Sequence, residues 1–229
     1  MKNEREWEQA FDLMYQNITS NQAPGLVPYE KSVFLTDAQE AIVLAICNGT
    51  LRRSFEETEE YTSYLAPLVS QEDCPVASNA PHVVDGSVTY ELPEDLLFVT
   101  LEMCTVSVEG CGNKPAVVVP VTQDEFWRTW RNPFKRQNGD RVLRLSYGSS
   151  DAIGDSLYSS RYSELVSSGE VVKYVVRYVK KPDPIILEDL GDGYTIRGES
   201  KAMTCKLPEH LHQMILEEAV RRAKAVWTS

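Results

Sequence analysis

Hydrophobic residues recur every three or four positions toward both ends of the chain and every second position through its middle. Trp7, Ala10, Phe11 and Met14, with Glu4, Glu6, Glu8 and Asp12 among them, predict an amphipathic N-terminal helix whose stripe Ile18 extends. Asn21 to Pro28, with Pro24-Gly25 and a second proline, reads as a loop. Thr36 and Gln39 form a capping box ahead of Ala38, Ile42, Ala45 and Ile46, and Gly49 supplies a C-cap. That helix is nearly apolar all round, which places it deep in a bundle or in a subunit contact. Ser54 and Glu57 cap a third helix carrying Phe55, Tyr61, Tyr64 and Leu65, stopped by Pro67. Leu207-Pro208-Glu209 opens the last helix, with Leu211, Met214, Ile215, Ala219, Ala223, Val226 and Trp227 as its buried stripe. Glu217 with Arg221, and Glu218 with Arg222, have the four-residue spacing of helical ion pairs.

From about Gly86 the period becomes two. Val88, Tyr90 and Leu92 form one strand and Leu97, Val99, Leu101 and Met103 another, joined through Pro93-Glu94-Asp95. The Val117 run, the Val142 run and Val171 to Val179 add three more; in the last, Val172, Tyr174, Val176 and Tyr178 share a face. Ile185 to Leu187 resumes the sheet after a stiff Pro182-Asp183-Pro184 turn, and Gly191-Asp192-Gly193 turns into Tyr194 to Arg197. Gly148 to Gly169, rich in serine and poor in aliphatics, is a long excursion that is either functional or mobile. The expected architecture is α+β: a helical region over 1–83, a mostly antiparallel β domain over 84–206, and a C-terminal helix over 207–229 packing with the N-terminal helices.

The densest stretch is Pro115 to Leu145. Its three valines favour an extended chain. Thr122 and Glu125 then have capping-box spacing for a short helix over 122–131, in which Phe126, Trp127 and Trp130 share a side before Asn132-Pro133 ends it. Phe134, Lys135 and Arg136 come next, and Asn138-Gly139-Asp140 turns the chain into the next strand. Trp and Arg are common interface anchors, so Trp127, Trp130, Phe134, Lys135 and Arg136 form a candidate docking surface, joined by Tyr158 and Tyr162 of the excursion. The competing reading is a small helix whose Trp rings are ordinary core.

The formal charge of -11 argues against whole-surface nucleic-acid binding, which needs Lys and Arg to displace counterions. Five widely spaced cysteines show no CxxC pattern; Cys104 and Cys111 could meet across a hairpin, but reduced, packed thiols suit a cytosolic product. The polar, acidic start does not look like a signal peptide, and the longest apolar runs fall short of a membrane span, so a soluble protein without membrane association is expected. Glu56, Glu57, Glu59 and Glu60 suit the start of a helix, with a carboxylate metal cluster as the sharper alternative. His210 and His212 are two apart on a helix and point to opposite sides, so they cannot chelate one metal. No GxSxG, HExxH, Walker A or GxGxxG occurs. The expectation is a protein that is not an enzyme and carries no cofactor, no metal and no catalytic residue.

One ordered set of segments carries a resemblance: AICNG at 45–49, LPEDLLFVTLEMC at 92–104, VPVTQDEFWRTWRNPFKRQNGDRVLRL at 119–145, YVVRYVKKPDPIIL at 174–187 and CKLPEHLHQMILEEAVRRAKAVW at 205–227. The chain resembles the head-tail connector (ring or adaptor) proteins of crAss-like, podovirus-type bacteriophages, and more broadly the tail tubular adaptors of short-tailed phages. The resemblance implies a structural virion protein at the head-tail interface, made in the host cytoplasm. It also implies a homo-oligomeric ring, a dodecamer, with portal protein and other tail ring proteins as partners. Packaged DNA would pass through the channel without specific binding. Two other classes stay open: a virion cargo or accessory protein, and a hydrolase acting on cell-wall sugars or nucleic acid.

Overall fold

The computed structural model describes residues 3–16, 25–51, 63–77, 82, 84–110, 112–148, 161–191 and 193–227. Among them the chain forms four α-helices and seven strands in two compact units, Val69–Lys180 and the pair Met1–Leu68 with Lys181–Ser229. The helical unit therefore takes back the chain at Lys181, and the 181–206 stretch that pattern assigned to the β domain belongs to it.

In the helical unit, helix α1 (Glu4–Gln16) starts at a capping box in which the Asn3 side chain accepts the Glu6 N–H at 2.9 Å and Glu6 accepts the Asn3 N–H at 3.0 Å. It buries Trp7, Phe11 and Tyr15. Helix α2 (Pro28–Cys47) begins a full two turns before the expected cap at Thr36. Pro28 occupies the first turn, where a missing N–H costs nothing, and Glu30 reaches back to the Val27 N–H. At its other end Gly49, at φ 70°, lets the Thr50 N–H bond the Ala45 carbonyl and its own N–H bond the Ile46 carbonyl.

Thr36 is instead a buried residue in mid-helix, one of four polar residues on a face expected to be apolar. Each has a partner. Lys31 Nζ bonds Asp12 at 2.8 Å and Glu8 at 3.1 Å, tying α1 to α2. Burial lowers the pKa of that ammonium, but the hydrogen bonds and charges of Asp12 and Glu8 outweigh it and the net shift is upward, so the tie persists until strong alkali. Ser32 Oγ accepts the Leu187 N–H, Thr36 Oγ1 accepts the Ile185 N–H and donates to the Ile185 carbonyl, and Gln39 donates to the Asp183 carbonyl. Ile185 to Leu187 is thus extended chain held by helix side chains; its ladder contact is one isolated bridge, Ile186 with Met203, and it does not resume the sheet. Ile196 and Glu199 likewise bracket a tight turn rather than a strand.

In the β unit the strands are β1 (Val69–Asp73), β2 (Val88–Glu91), β3 (Leu96–Val108), β4 (Gly112–Pro120), β5 (Arg141–Gly148), β6 (Arg161–Val166) and β7 (Glu170–Lys180), with a short helix α3 (Phe126–Arg131) between β4 and β5. Their order is β1-β7-β3-β4-β5-β6-β2, antiparallel except for the β4–β5 pair. β2 and β3 adjoin in sequence but lie apart in the sheet; β2 pairs with β6. The chain beyond β1 places Val76 opposite Tyr90 of β2, so the sheet closes on itself. Tyr174, Val176 and Tyr178 of β7 point into the enclosed core with Tyr90, Cys104, Val106 and Leu165. Burial raises the Cys74 thiol to about 12 and the Cys104 thiol to about 11, the values of inert packed thiols.

The serine-rich excursion is shorter than expected, because Arg161–Val166 is a strand paired with both β5 and β2. Serines hid it. Ser163 is fully buried and meets the Tyr174 hydroxyl at 3.2 Å, and Glu164, also buried, accepts from Ser87. At the β6–β7 turn only glycine fits position 169, where a Cβ would lie 2.3 Å from the Ser107 carbonyl oxygen. Residues 149–160, the third-helix expectation from Ser54 to Tyr61, its Glu56–Glu60 cluster, Ile18 and Cys111 lie outside the described residues.

The last helix, α4 (Glu209–Trp227), packs against α2 and α1. It buries Leu211, Ile215, Leu216, Ala219, Val220 and Ala223, whereas Val226, expected in the stripe, is 68% exposed. Glu218 takes both Arg221 and Arg222, while Glu217 accepts from Gln213 and the expected Glu217–Arg221 pair is not made. His212 is buried and donates from Nε2 to the Leu207 carbonyl; its ring lies 4.9 Å from that of Trp7.

Thr36→Val keeps the shape of the α2 side chain but leaves the Ile185 N–H buried without its acceptor. It should cost about 1–3 kcal/mol, read as a lower urea midpoint with an unchanged slope.

Candidate docking surface

The block between β4 and β5 is built by backbone chemistry more than by a side-chain cap. The Glu125 N–H bonds the Thr122 carbonyl at 3.2 Å in a turn, and α3 starts only at Phe126. The expected capping box is not formed: no side chain caps the helix, and the Thr122 hydroxyl bonds the Asp124 carboxylate instead, holding its pKa below the ordinary value. Six residues make fewer than two turns, so α3 depends on what it packs against.

Phe126 is the anchor. It is 1% exposed and packs on Leu143, Leu145 and Val166 of β5 and β6. Trp130 lies partly buried on the same cluster, edge-on to Phe126 with ring centroids 5.4 Å apart. Trp127, also edge-on to Phe126 at 5.3 Å, turns outward and is 54% exposed. The two tryptophans thus divide the two readings offered by the sequence, one belonging to the satellite core and one to the surface.

Asn132 ends the helix and shapes the loop beyond it. Its carbonyl accepts the Lys135 and Arg136 N–H groups at 3.1 and 2.9 Å, and its side chain accepts the Phe134 N–H at 2.9 Å. From β5 the Arg141 guanidinium donates to the Phe134 carbonyl at 2.9 Å, and Asn138 Oδ1 accepts the Asp140 N–H in the turn. Phe134 is 88% exposed despite this scaffold of backbone bonds. Leaving a phenyl ring in water forgoes about 1.5–3 kcal/mol of burial. Arg128, Arg131, Lys135 and Arg136 lie on the same segment, all exposed and none ion-paired with a described residue.

The structure therefore brings Trp127, Trp130, Phe134, Lys135 and Arg136 into one block. Tyr162 sits half-buried within β6, opposite Tyr147 and Glu91 in the ladders, and Tyr158 lies outside the described residues. Pattern reading missed Arg128 and Arg131, whose place on the outer side of α3 is clear once Phe126 is known to point inward. It also missed Val117, 67% exposed: Val117 and Val119 share a face of β4, yet α3 covers only Val119. Among the described residues no three His, Cys, Asp or Glu side chains cluster as a metal site, and no helix is long and apolar enough to cross a membrane.

A β unit whose sheet closes on itself carries an exposed aromatic block, a surface suited to contact with another protein, and comparison with known proteins gives the family. The chain belongs to the phage tail ring protein 3/4 family, whose model matches residues 1–228. It is 40% identical over 202 residues to Ring protein 3 of Bacteroides phage crAss001, covering 85% of this chain and 83% of that protein. It is also 31% identical over 234 residues to Ring protein 4/5 of the same phage, covering 98% and 93%.

The two kinds of aromatic residue should separate in stability measurements. Phe126→Ala should cost about 3–5 kcal/mol, whereas Trp127→Ala and Phe134→Ala should each stay within about 0.5 kcal/mol of the parent in urea denaturation.

Proposed function

We propose that this chain is a structural subunit of a closed homo-oligomeric ring, a dodecamer, in the head-tail connector of a tailed phage. In this reading it joins portal protein to the tail rings and lines the channel through which packaged DNA leaves. The observation that carries the proposal is the pre-organised block: Phe134 is held out in solvent by bonds from Asn132 and Arg141 on both sides. A ring held at its backbone loses little further freedom on docking, so most of its burial becomes binding free energy. Family membership supports assembly as the use of such a surface, and the relatives' names, Ring protein 3 and Ring protein 4/5, support a ring as its form.

The mechanism is mechanical and electrostatic and involves no bond chemistry. Ring closure joins unlike patches by rotation, so the block of one subunit meets a different surface of the next. Four cations that pair with no described residue, in a chain of net charge -11, give that contact a sign, because the remainder of each neighbouring copy is acidic. The same acidity makes a channel wall that does not grip phosphate.

Native mass spectrometry of the protein alone and with portal protein tests this. A closed multimer, or a stoichiometric complex with portal, is expected. Phe134→Ala combined with Trp127→Ala should abolish it while the melting temperature stays near the parent's. A monomer indifferent to portal would remove the connector reading.

A further inference from the structure

The sheet of the β unit has a gap in its wall. β3 pairs with β4 only from Cys104 opposite Ala116 to Val108 opposite Gly112. The next rungs in register, Met103 with Val117 and Glu102 with Val118, are not made, although β3 continues back to Leu96 and β4 on to Pro120. From Val117 onward β4 pairs with β5 instead. The strands diverge around an open cleft of about 720 Å³, walled by Val99, Leu101 and Met103 on one side and Val117 and Val118 on the other. Leu101, Met103 and Val117 are 45%, 37% and 67% exposed.

Backbone direction makes the cleft specific. The Val117 N–H bonds the Asp140 carbonyl and the Val121 N–H bonds the Arg144 carbonyl, so these odd-numbered groups of β4 point at β5. Val118 then points its N–H and carbonyl the opposite way, into the cleft. On β3, the Cys74 N–H bonds the Tyr174 carbonyl, so Val175 of β7 directs its groups at Met103, and Glu102 directs its own into the cleft. Both walls thus offer strand edges with no described strand between them. The inner side is closed by Arg144 of β5, which reaches Glu102 at 3.1 Å. Glu102 also accepts from the Tyr174 hydroxyl, whose pKa is pushed up by burial and then by that carboxylate.

We infer that this cleft receives an extended strand from a neighbouring copy of the same chain, which completes the ladder at Val118 and Glu102 and covers Leu101, Met103 and Val117. The inference rests on the ring reading and names how one subunit holds the next. An occupant that pairs with both edges must be extended polypeptide, because only a strand presents N–H and C=O groups on both sides. The cleft's surroundings point to a second copy. Val117 lies beside Arg141, which holds the Phe134 carbonyl, so cleft and cationic block are continuous on one face. The charge-complementary neighbour of that face is a chain of net charge -11 such as this one. Pro120, the next residue to face the cleft from β4, has no N–H, which limits the contact on that wall to a short strand.

Hydrogen exchange of the full chain, monomer against assembled ring, tests the inference without a mutation. In the ring, the amide of Val118 and those of 99–103 facing the cleft should exchange more slowly by about tenfold or more. A ring in which these segments exchange as in the monomer overturns the strand and leaves the ring reading standing. A chain that stays monomeric alone at every concentration overturns the second copy as occupant, and the connector reading is then decided by the mixture with portal. Val118→Pro deletes an N–H that no described group uses and trims a side chain packed partly against the core. It should lower the melting temperature less than Val117→Pro, which breaks the bond to Asp140, and should still lose self-assembly. Val118→Pro that folds and closes into rings as the parent does would refute the inference.

Discussion

Every buried N–H and C=O in this chain has to find a partner, and that requirement organises both units. In the helical unit the segment from Asp183 to Leu187 runs beside α2 without a neighbouring strand over most of its length. Ser32, Thr36 and Gln39 supply the missing bonds from a helix face. That is why α2 carries hydroxyls and an amide where an apolar stripe would otherwise lie. In the β unit the ladders do the same work until β3 and β4 part. There the pairing among the described residues stops, and another partner has to complete it.

The docking block obeys a different balance. A short helix has too few internal bonds to persist alone, so Phe126 must be driven into the Leu143, Leu145 and Val166 cluster for α3 to exist. Once it is, the helix geometry places Trp127 outside and Trp130 at the border, and Asn132 fixes the loop beyond. Burial of one aromatic thus determines the exposure of two others, Trp127 and Phe134.

Much of this was legible in the residues. The helical period at both ends, the alternation in β7 and the aromatic block all gave the right elements, because each rests on local spacing. The failures share a physical cause. Thr36 looked like a cap and Ser163 like loop because polar residues were read as solvent-facing, yet both are buried and bonded across 149 and 11 residues of sequence. No local pattern encodes such partners. The placement of β2 beside β6 likewise depends on tertiary pairing, whereas the start of α2 had a local signal, Pro28 in the first turn with Glu30 behind it, that the capping spacing at Thr36 overshadowed. The proposed docking surface could be read as one segment; its division into core and surface rings required the position of the sheet beneath it. The cleft left no sequence signal at all, since Val117 to Val119 reads as ordinary strand whether or not a neighbour pairs with it.

An exposed strand edge is a hazard to a free protein, because any other edge can pair with it. Monomeric proteins blunt such edges with charge, proline or a covering element. Here Pro120 blunts one end, while Val99, Leu101, Met103, Val117 and Val118 line much of the rest, beside cations that pair with no described residue. Those cations resolve the apparent conflict. Two free copies approaching block to block meet like charge, so random edge pairing is opposed; only a geometry that brings an acidic surface to the cationic loop lets an apolar strand reach the cleft. In the proposed contact the charge selects the orientation and the backbone rung then holds it. A closed ring needs that division of labour, because its contact has to be specific enough to turn each subunit by the same angle and extended enough to bear load along the tail.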